Sequence, residues 1–504
     1  MRQEYASKTP EVRLGKILTI KLPPEQPVTG AEAAHIKKLI QQLARIDRRD
    51  FGLPPSLREK AFAPVTGSES VDRIAVAGHD QQHVAPLVEL VCIGPRALPF
   101  LLESLEDTTP TRLIVMLGGM LTGIDFSNEM WGNLANGREQ KILSLKPVRE
   151  SNRPFVKEPL DSHTVTIGDV CFIIVGQIVG RQYLAVRGQP SSGVVINSPT
   201  RDPSIVQAVR AIWTSDDPTQ HILDSLLLDY ATRGIHHGGK NESFDNWYVG
   251  STPQIPAVMR LLYYFPRQMA PIAAQRLRSL QVQATRLNKG EDRSDADMTR
   301  WVKRELANEV STRDFIKAVS WCKEPEIHAS LRSIFQKTDD PELLLAALPA
   351  LHPMQNWLLI EQRFRELINR LQYSEGGWYG DGYNALIALR KIGGSRVLPL
   401  YRQYLRGASA QRCLSVCEAL SNTEGNWDRE FLWPMLADKR NSTGYSHPVN
   451  DRENARRLPI RVCDQAAEVI AKHRKDLAFT MVGTKKELDR QIGQIQLLLK
   501  RGVK

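Results

Sequence analysis

Residues 87–106 read LVELVCIGPRALPFLLESLE, two leucine-rich stretches separated by a Gly-Pro. Leu87 and Leu90 recur at helical spacing before the Gly-Pro. Gly94 suits the left-handed end of a first helix, and Pro95 suits the start of a second. The apolar positions of that second helix are Leu98, Leu101, Leu102 and Leu105. The stretch therefore predicts a helix hairpin in which the Gly-Pro is a turn, not a catalytic loop.

The pattern recurs in residues 386–405, LIALRKIGGSRVLPLYRQYL. There Gly393 matches Gly94, and a one-residue insertion follows. The other matching residues of this second copy are Leu386, Leu389, Ile392, Leu398, Pro399 and Leu405. A weaker third copy starts at Phe265, with Pro271 as its internal proline. Copies of a helix pair far apart in one chain predict a stacked helical-repeat protein.

Four aspartates precede apolar helical patterns. Asp169 in TIGDVCFIIVGQI and Asp464 in IRVCDQAAEVIAKH are expected at helix N-termini, where a carboxylate meets free N–H groups. SDDP from residue 215 and TDDP from residue 338 place aspartate at the cap and proline at the first helical position. We interpret these four sites as caps and not as paired catalytic carboxylates.

Strand patterns are scarce, and the best candidates are residues 17–22 and 193–199. Nearly all other strong periodicity is helical. The sequence therefore predicts an all-α fold.

The paired helices, the Ile-Gly turn, the ALP or VLP that opens the second helix and the Asp-led VCDQAAEVIA together resemble the HEAT-repeat class of α-solenoids. The chain is similar to uncharacterised bacterial HEAT-like proteins. The resemblance covers residues 31–475 and implies an irregular HEAT/armadillo-like superhelical solenoid with long inter-repeat loops. It allows two halves, 31–235 and 255–475, with an N-terminal extension at 1–30 and a basic C-terminal helix at 476–504.

The formal net charge is +11, which favours nucleic acid or another anionic partner. The charge is uneven, because residues 439–504 hold 15 lysines and arginines against 7 acidic residues. We therefore interpret the excess as a solvated basic tail, with an anionic partner as the alternative.

The six cysteines are scattered and show neither a disulfide framework nor zinc-ligand spacing. The N-terminus has no apolar signal-peptide core, and the most apolar run, residues 170–179, is too short to span a membrane. We therefore expect a cytoplasmic protein without a membrane span.

Long insertions between repeats often carry function, and three are present: residues 127–160, 232–256 and 438–459. Aromatic side chains there and near residue 378 can stack on a ligand, and clustered guanidiniums can hold a carboxylate or a phosphate. Packing, tight turns and bonds to helix-end carbonyls are the structural alternatives. The candidate binding residues are Arg181, Arg187, Asn197, Trp247, Tyr248, Trp378, Tyr379 and Asp381.

Four histidines, His79, His83, His236 and His237, are weak metal candidates. His79 and His83 would share one helix face, whereas adjacent histidines such as His236 and His237 point apart. The chain has no HExxH motif and no His-Glu dipeptide. We predict no metal and no cofactor.

The C-terminal run TKKELDRQIGQIQLLLKR has one apolar face, formed by Leu488, Ile492, Ile495 and Leu499. This face predicts either a docking helix for a partner or a helix that closes the end of the repeats.

Taken together, these patterns favour a non-catalytic binding or scaffold protein that engages a protein partner through a concave face and its long loops. Two alternatives remain at this point. One is a nucleic-acid-binding HEAT-like protein with a basic surface, and the other is a metal-dependent enzyme on a HEAT scaffold.

Overall fold

The computed structural model describes residues 13–48, 62–65, 85–116, 124–130, 132–133, 135–144, 162–188, 194–233, 253–287, 312–338, 341–351, 353–367, 381–421, 429–448, 457–474 and 476–501. The chain forms two compact units, unit 1 (Met1–Ser330) and unit 2 (Leu331–Lys504). It is mostly helical with little sheet, as predicted for an all-α fold.

In unit 1 the α-helices are α1 Gly30–Gln42, α2 Ala85–Ile93, α3 Leu98–Glu103, α4 Gly137–Ser144, α5 Ile167–Val179, α6 Pro203–Trp213, α7 Pro218–Ala231, α8 Gln254–Tyr264, α9 Pro266–Leu287 and α10 Thr312–Val319. The boundary between the units falls inside α11 (Pro325–Lys337). Helix α5 is the most enclosed of these, with twelve of its residues buried.

Seven short strands accompany these helices: β1 Arg13–Leu14, β2 Pro110–Met116, β3 Ile124–Phe126, β4 Ser162–Thr166, β5 Val186–Gly188, β6 Val194–Ile196 and β7 Thr232–Arg233. Strands β2 and β4 form an antiparallel ribbon, as do β1 and β7. The remaining three form a sheet in which β6 runs parallel to β3 and antiparallel to β5.

The elements of unit 2 are α12 Pro341–Ala347, α13 Pro353–Leu367, α14 Asp381–Gly393, α15 Leu398–Tyr404, α16 Ala410–Ser421, α17 Arg429–Leu432, β8 Asn441–Pro448, β9 Arg457–Arg461, α18 Val462–His473 and α19 Lys485–Arg501. Strands β8 and β9 form an antiparallel ribbon of unit 2. Helices α14, α16 and α18 pack in succession, each against the next.

The predicted helix hairpin is confirmed at residues 87–106. A 3₁₀ turn, Gly94–Ala97, joins α2 to α3, and Gly94 has a left-handed φ of 68°. The apolar positions are buried, with Leu87 and Leu90 both 0% exposed. The phenol of Tyr264 covers the turn and donates a hydrogen bond to the Val91 carbonyl (2.7 Å). The Gly-Pro is therefore a structural turn.

The second copy has the same helix–3₁₀–helix form, but its alignment needs a correction. The 3₁₀ turn begins at Gly394, which has the left-handed φ of 54°, whereas Gly393 has a φ of −101°. Gly394 and not Gly393 is thus the equivalent of Gly94, because only the left-handed glycine starts the turn. The one-residue insertion consequently lies before the turn. In the third copy Pro271 lies inside α9, which begins at Pro266.

One stretch, Ala85–Glu106, is long and apolar enough to cross a membrane by length and composition alone. It is the hairpin of α2 and α3, and half of its most apolar window is buried inside the protein. Core helices of folded proteins meet the same length and composition criteria, so this stretch is weak evidence for a membrane span.

Of the four predicted caps, the one in SDDP is confirmed, whereas Thr166 and Arg461 cap the helices where Asp169 and Asp464 were expected to do so. The aspartates of TDDP lie outside the described residues. Asp217 caps α7 by accepting from the Gln220 amide (3.0 Å), with Pro218 as the first helical residue. Asp169 and Asp464 are the third residues of α5 and α18. The strand predictions fared less well. A strand forms at Val194–Ile196 as predicted, but residues 17–22 form no strand. The β2–β4 and β8–β9 ribbons were not predicted.

Candidate functional site

The most elaborate polar cluster of unit 1 centres on Arg181. This residue follows α5 directly, after Gly180, which ends the helix with a left-handed φ of 75°. The Arg181 side chain is only 5% exposed. Because the chain turns sharply at Gly180, the guanidinium projects back among α4, α6 and α7 instead of continuing along the helix.

Two carboxylates hold this guanidinium. Its Nη2 donates to Oε1 of Glu139 (2.8 Å) and its Nε to Oε2 (3.2 Å), which is a bidentate pair. Its Nη1 donates to Oδ2 of Asp229, and Nη2 also reaches Oγ of Ser225 (3.1 Å). Every nitrogen of Arg181 therefore has a protein acceptor.

The acceptors are themselves fixed by neighbours. The Asn133 amide donates to Oε2 of Glu139 (2.7 Å), and the Asn133 side chain donates to Asp229. The Arg181 guanidinium lies over the Trp213 ring, 5.5 Å from its centroid. Trp213 in turn donates to the phenol of Tyr183 (3.0 Å). The network ties three distant segments of the chain to the end of α5.

A second buried cation balances the cluster. Arg260 of α8 is 5% exposed and donates to the Gln177 carbonyl and to the Pro256 carbonyl (3.0 Å). Burial lowers its pKa to about 10, against the opposing influence of Tyr264 and Asp229. Burial also lowers the pKa of Arg181, but the charges of Asp229 and Glu139 outweigh it and raise that pKa above its ordinary value. Two buried arginines and two buried carboxylates thus sum to zero charge, as a low-dielectric interior requires.

This arrangement is closed to ligands. The four charged groups of the cluster are buried, and the donors of Arg181 are used by the protein itself. An anion that entered would have to displace a carboxylate at a large desolvation cost. The cluster therefore stabilises unit 1, which agrees with the structural alternative for Arg181.

A second polar group lies beneath the ribbon of β2 and β4. Nε2 of His163 is 3.3 Å from Oδ2 of Asp169, and both side chains are at most 2% exposed. Oδ2 also accepts from the Thr166 amide (3.0 Å), while the Asp169 amide donates to Oγ1 of Thr166 (3.3 Å). This is a capping box with a histidine added to it.

Each member of this pair keeps one polar atom without a hydrogen-bond partner among the described residues, namely Nδ1 of His163 and Oδ1 of Asp169. Since a carboxylate oxygen only accepts, Nε2 of His163 is the donor of the hydrogen bond to Oδ2. An Asp–His dyad needs a nucleophile within reach of the other ring nitrogen, Nδ1. No described hydroxyl lies at hydrogen-bond distance from it.

The outer face of the same ribbon exposes apolar side chains. Ile114 and Met116 of β2 are 54% and 64% exposed. They alternate with the buried Val115, so they lie side by side on one face of the ribbon, opposite Thr164 and Ser162 of β4. Burying them would release the water that now covers them.

A cleft of about 290 Å³ lies between α3, α6 and the start of α7. Its apolar lining comes from Leu98, Leu102 and Trp213, with Arg210 at the rim. The Arg210 side chain already donates to the Leu102 carbonyl (3.0 Å) and to Glu106 (2.8 Å). The cleft therefore offers mostly apolar surface.

The other predicted residues are dispersed. Asn197 follows β6 and is buried, donating to the Glu129 carbonyl (2.6 Å), with its Oδ1 lacking a partner within the described part of the chain. Arg187 is the central residue of β5, and Asp381 is the first residue of α14. Arg181 and Asn197 are both buried and hydrogen-bonded within the protein, so they do not form an open site. The remaining candidates lie outside the described residues: Trp247, Tyr248, Trp378, Tyr379, His79, His83, His236 and His237.

The cysteines and acidic groups show no metal centre where the structure can be described. No group of three or more His, Cys, Asp or Glu side chains there is placed to hold a metal ion. Burial raises the pKa of the Cys171 and Cys417 thiols above the ordinary value, so both remain protonated.

Sequence reasoning missed the ribbon and the His163–Asp169 pair. Burial alternates strictly along residues 110–116, but the sequence does not, because residues 113–116 are all apolar and the strand signal is therefore weak. The partners of Arg181 carry no local signal, because Glu139 and Asp229 are 42 and 48 residues away.

Comparison with protein-family models, with curated proteins and with solved structures finds no match for this chain.

Proposed function

We propose that this protein is a non-catalytic helical-repeat scaffold that acts in the cytoplasm. In this proposal its helix pairs form an irregular HEAT-like solenoid, which engages a protein partner through a concave face and its long loops. The alternating packing of α14, α16 and α18 supports the repeat arrangement, because stacked helix pairs place every second helix side by side.

The observation that carries the binding proposal is the exposed apolar pair Ile114 and Met116 on the β2–β4 ribbon. Single exposed apolar residues are ordinary, but neighbouring ones on a rigid element are typical of protein contact surfaces. The ribbon is rigid because its inner residues Val115 and His163 are buried and its end is fixed by the cap at Thr166. The apolar cleft beside α6 offers the same unit a further contact surface.

The charge distribution favours a protein over nucleic acid as partner of unit 1. Phosphate binding needs arginines and lysines that are free to reach the backbone. Many described arginines are instead paired with carboxylates of the same unit. Such pairs are Arg96–Glu32, Arg210–Glu106 and Arg181–Asp229 in unit 1, and Arg365–Glu361, Arg440–Asp438 and Arg474–Asp476 in unit 2.

The test uses the tagged full-length chain, captured from its native cell, with quantitative mass spectrometry of bound proteins. The variant Ile114→Thr/Met116→Thr keeps the strand preference of the ribbon but removes its apolar surface. Ile17→Thr is the matched control, because Ile17 is also exposed (46%) and lies in the same unit. We expect a partner that wild type and control retain at high salt, and that the double variant loses by about tenfold.

Identical capture by all three proteins would contradict this assignment of the binding surface. The same experiment tests the nucleic-acid alternative. Nucleic acid that copurifies with all three proteins and elutes as salt is raised would favour a phosphate-binding surface instead.

A further inference from the structure

The inward and outward faces of helix α19 differ, and the inward face is covered by the rest of unit 2. Leu488, Ile492, Ile495 and Leu499 are buried against α18 and the 3₁₀ turn Trp433–Ala437, so this face closes unit 2. Within unit 2 the chain itself covers this apolar face, as a helix that closes the end requires, so the face is not free to dock a partner. The opposite face remains available.

The position of α19 is fixed from several sides. Asp489 accepts from Arg461 (2.7 Å) and Lys439 (2.9 Å). The Gln491 side chain accepts from the Thr480 amide (2.9 Å), and Glu487 accepts from the Thr484 amide (2.6 Å) at the start of the helix. The outward face therefore lies on a helix that is already held in place, so binding a partner costs little further conformational entropy in this helix.

We define the outer face of α19 by Lys486, Arg490, Gly493, Gln494 and Leu497, which follow one another at helical spacing away from the buried face. Leu498 and Lys500 flank it. Leu497 is 58% exposed and Leu498 is 43% exposed.

Most of the charged side chains on and beside this face are positive. Lys485, Lys486, Arg490 and Lys500 are exposed, and none of them forms an ion pair with a described residue. Asp489 is paired with Lys439 and Arg461, and these contacts lower the pKa of its carboxyl. Glu487 is exposed and keeps its negative charge, because the hydrogen bonds from Thr484 and the charge of Arg490 lower its pKa. Its single negative charge stands against the four positive ones. The free charge of the face is consequently positive.

Gly493 lies in the middle of the face, and a Cβ atom placed there would have nothing within 4 Å. A glycine inside a helix costs stability relative to alanine, so its own unit gains nothing from it. A missing side chain beside Leu497 makes a groove into which a second helix can place its ridge at close range.

We propose that the outer face of α19 binds an acidic amphipathic helix of a protein partner. The leucines of that helix would cover Leu497 and Leu498 beside Gly493, and its glutamates or aspartates would pair with Lys486 and Arg490. A lipid surface fits less well, because the main apolar face of α19 is turned inward and two leucines give only marginal membrane attachment. Nucleic acid fits less well because the leucines have no role in contacts to phosphate. This surface is separate from the ribbon of unit 1, so either assignment can fail alone.

The probe is a fluorescent synthetic peptide as long as α19, with glutamate and leucine at helical spacing. Two matched peptides replace each glutamate by lysine or each leucine by serine. Their anisotropy is measured with the full-length protein. We expect the acidic amphipathic peptide to bind at least about tenfold more tightly than either matched peptide, and its affinity to fall as salt rises.

Three variants locate the site. Binding of the acidic peptide should be about tenfold weaker in each of two double variants, Leu497→Ser/Leu498→Ser and Lys486→Glu/Arg490→Glu. The second variant should also bind the lysine peptide. Leu358→Ser is the matched control, because Leu358 is 83% exposed in the same unit. Its replacement should change the affinity for the acidic peptide by less than about twofold. Circular dichroism and thermal unfolding confirm that each variant is folded.

Gly493→Ala separates binding from folding. The alanine should raise the unfolding temperature, because it favours the helix, and should weaken the acidic peptide, because its methyl group fills the groove. Equal binding of the acidic and lysine peptides, no binding of either, or unchanged affinity in the leucine variant would each overturn the proposal. Binding to phosphatidylserine vesicles or to duplex DNA in place of the acidic peptide would also overturn it, in favour of that surface.

Discussion

In unit 1 the guanidinium of Arg181 lies between two carboxylates, and in unit 2 the guanidinium of Arg461 does the same. Arg181 joins Glu139 and Asp229, which come from distant segments and are both buried. Arg461 joins its neighbour Asp464 to Asp489, which is 38% exposed. One arginine therefore holds tertiary structure together, whereas the other fixes a helix start and the helix packed beside it.

The two units also lead into α5 and α18 through the same backbone connection. In unit 1 the Ile167 amide donates to the Thr109 carbonyl (2.9 Å), and in unit 2 the Val462 amide donates to the Arg440 carbonyl (3.1 Å). The next amide reaches the carbonyl of Asp107 or Asp438, at 2.9 Å in both units. The chemistry at the cap differs: Thr166 in unit 1 is replaced by Arg461 in unit 2. A shared backbone thus accommodates two ways of satisfying a buried aspartate.

The largest expected effect comes from Arg181→Met, which leaves Glu139 and Asp229 buried without their ion-pair partner. We expect the free energy of unfolding of unit 1 to fall by about 3–5 kcal/mol. Arg461→Met should cost unit 2 less, about 2–3 kcal/mol, because Asp489 keeps Lys439 and contact with water. Urea unfolding followed by hydrogen exchange, which reports each unit separately, measures both. Equal losses would remove the distinction between the two arginines.

A smaller effect is expected at the cap of α5. Thr166→Ala removes the oxygen that accepts from the Asp169 amide, and the loss of such a cap costs about 1 kcal/mol. Thr214→Ala is the control, because Thr214 follows α6 and has no side-chain cap role. Hydrogen exchange in the first turn of α5 should rise in Thr166→Ala alone. A loss as large as that of Arg461→Met would show that the His163–Asp169 pair depends on the cap far more than its geometry suggests.

The sequence predicts the local part of this architecture well. Periodic leucines and a left-handed glycine define the hairpin at Gly94, since both act within a few residues. Caps such as Asp217–Pro218 are equally local. The alignment of Gly393 failed because two adjacent glycines are indistinguishable until the backbone conformation of each is known.

The candidate site was less accessible to sequence reasoning. Arg181 was singled out for its guanidinium, but its carboxylates are contributed by α4 and α7, and no spacing rule links them. The ribbons were not predicted because strand pairing joins segments across an insertion. Strands β2 and β4 are 46 residues apart at their nearest pair, Met116–Ser162, and each strand alone is short. Long-range pairing is set by the fold and not by local preference.

The smallest expected effect distinguishes the units by pH. Burial, followed by the charge of Arg138, lowers the pKa of His221 in α7 below its ordinary 6.5. The unfolded chain therefore takes up a proton as pH falls through 6.5 while folded unit 1 does not, so unit 1 loses stability there. The loss is small because His221 is partly exposed and solvent screens its charge. In unit 2 the hydrogen bonds from Arg440 hold the pKa of Asp438 below 3.8, so that contribution is lost only as pH falls below 3.8. Between pH 7 and pH 5, hydrogen exchange should become faster in unit 1 before it does so in unit 2. His221→Gln should abolish this difference between the units. If unit 1 of His221→Gln still loosened first, another group would have to carry the proton.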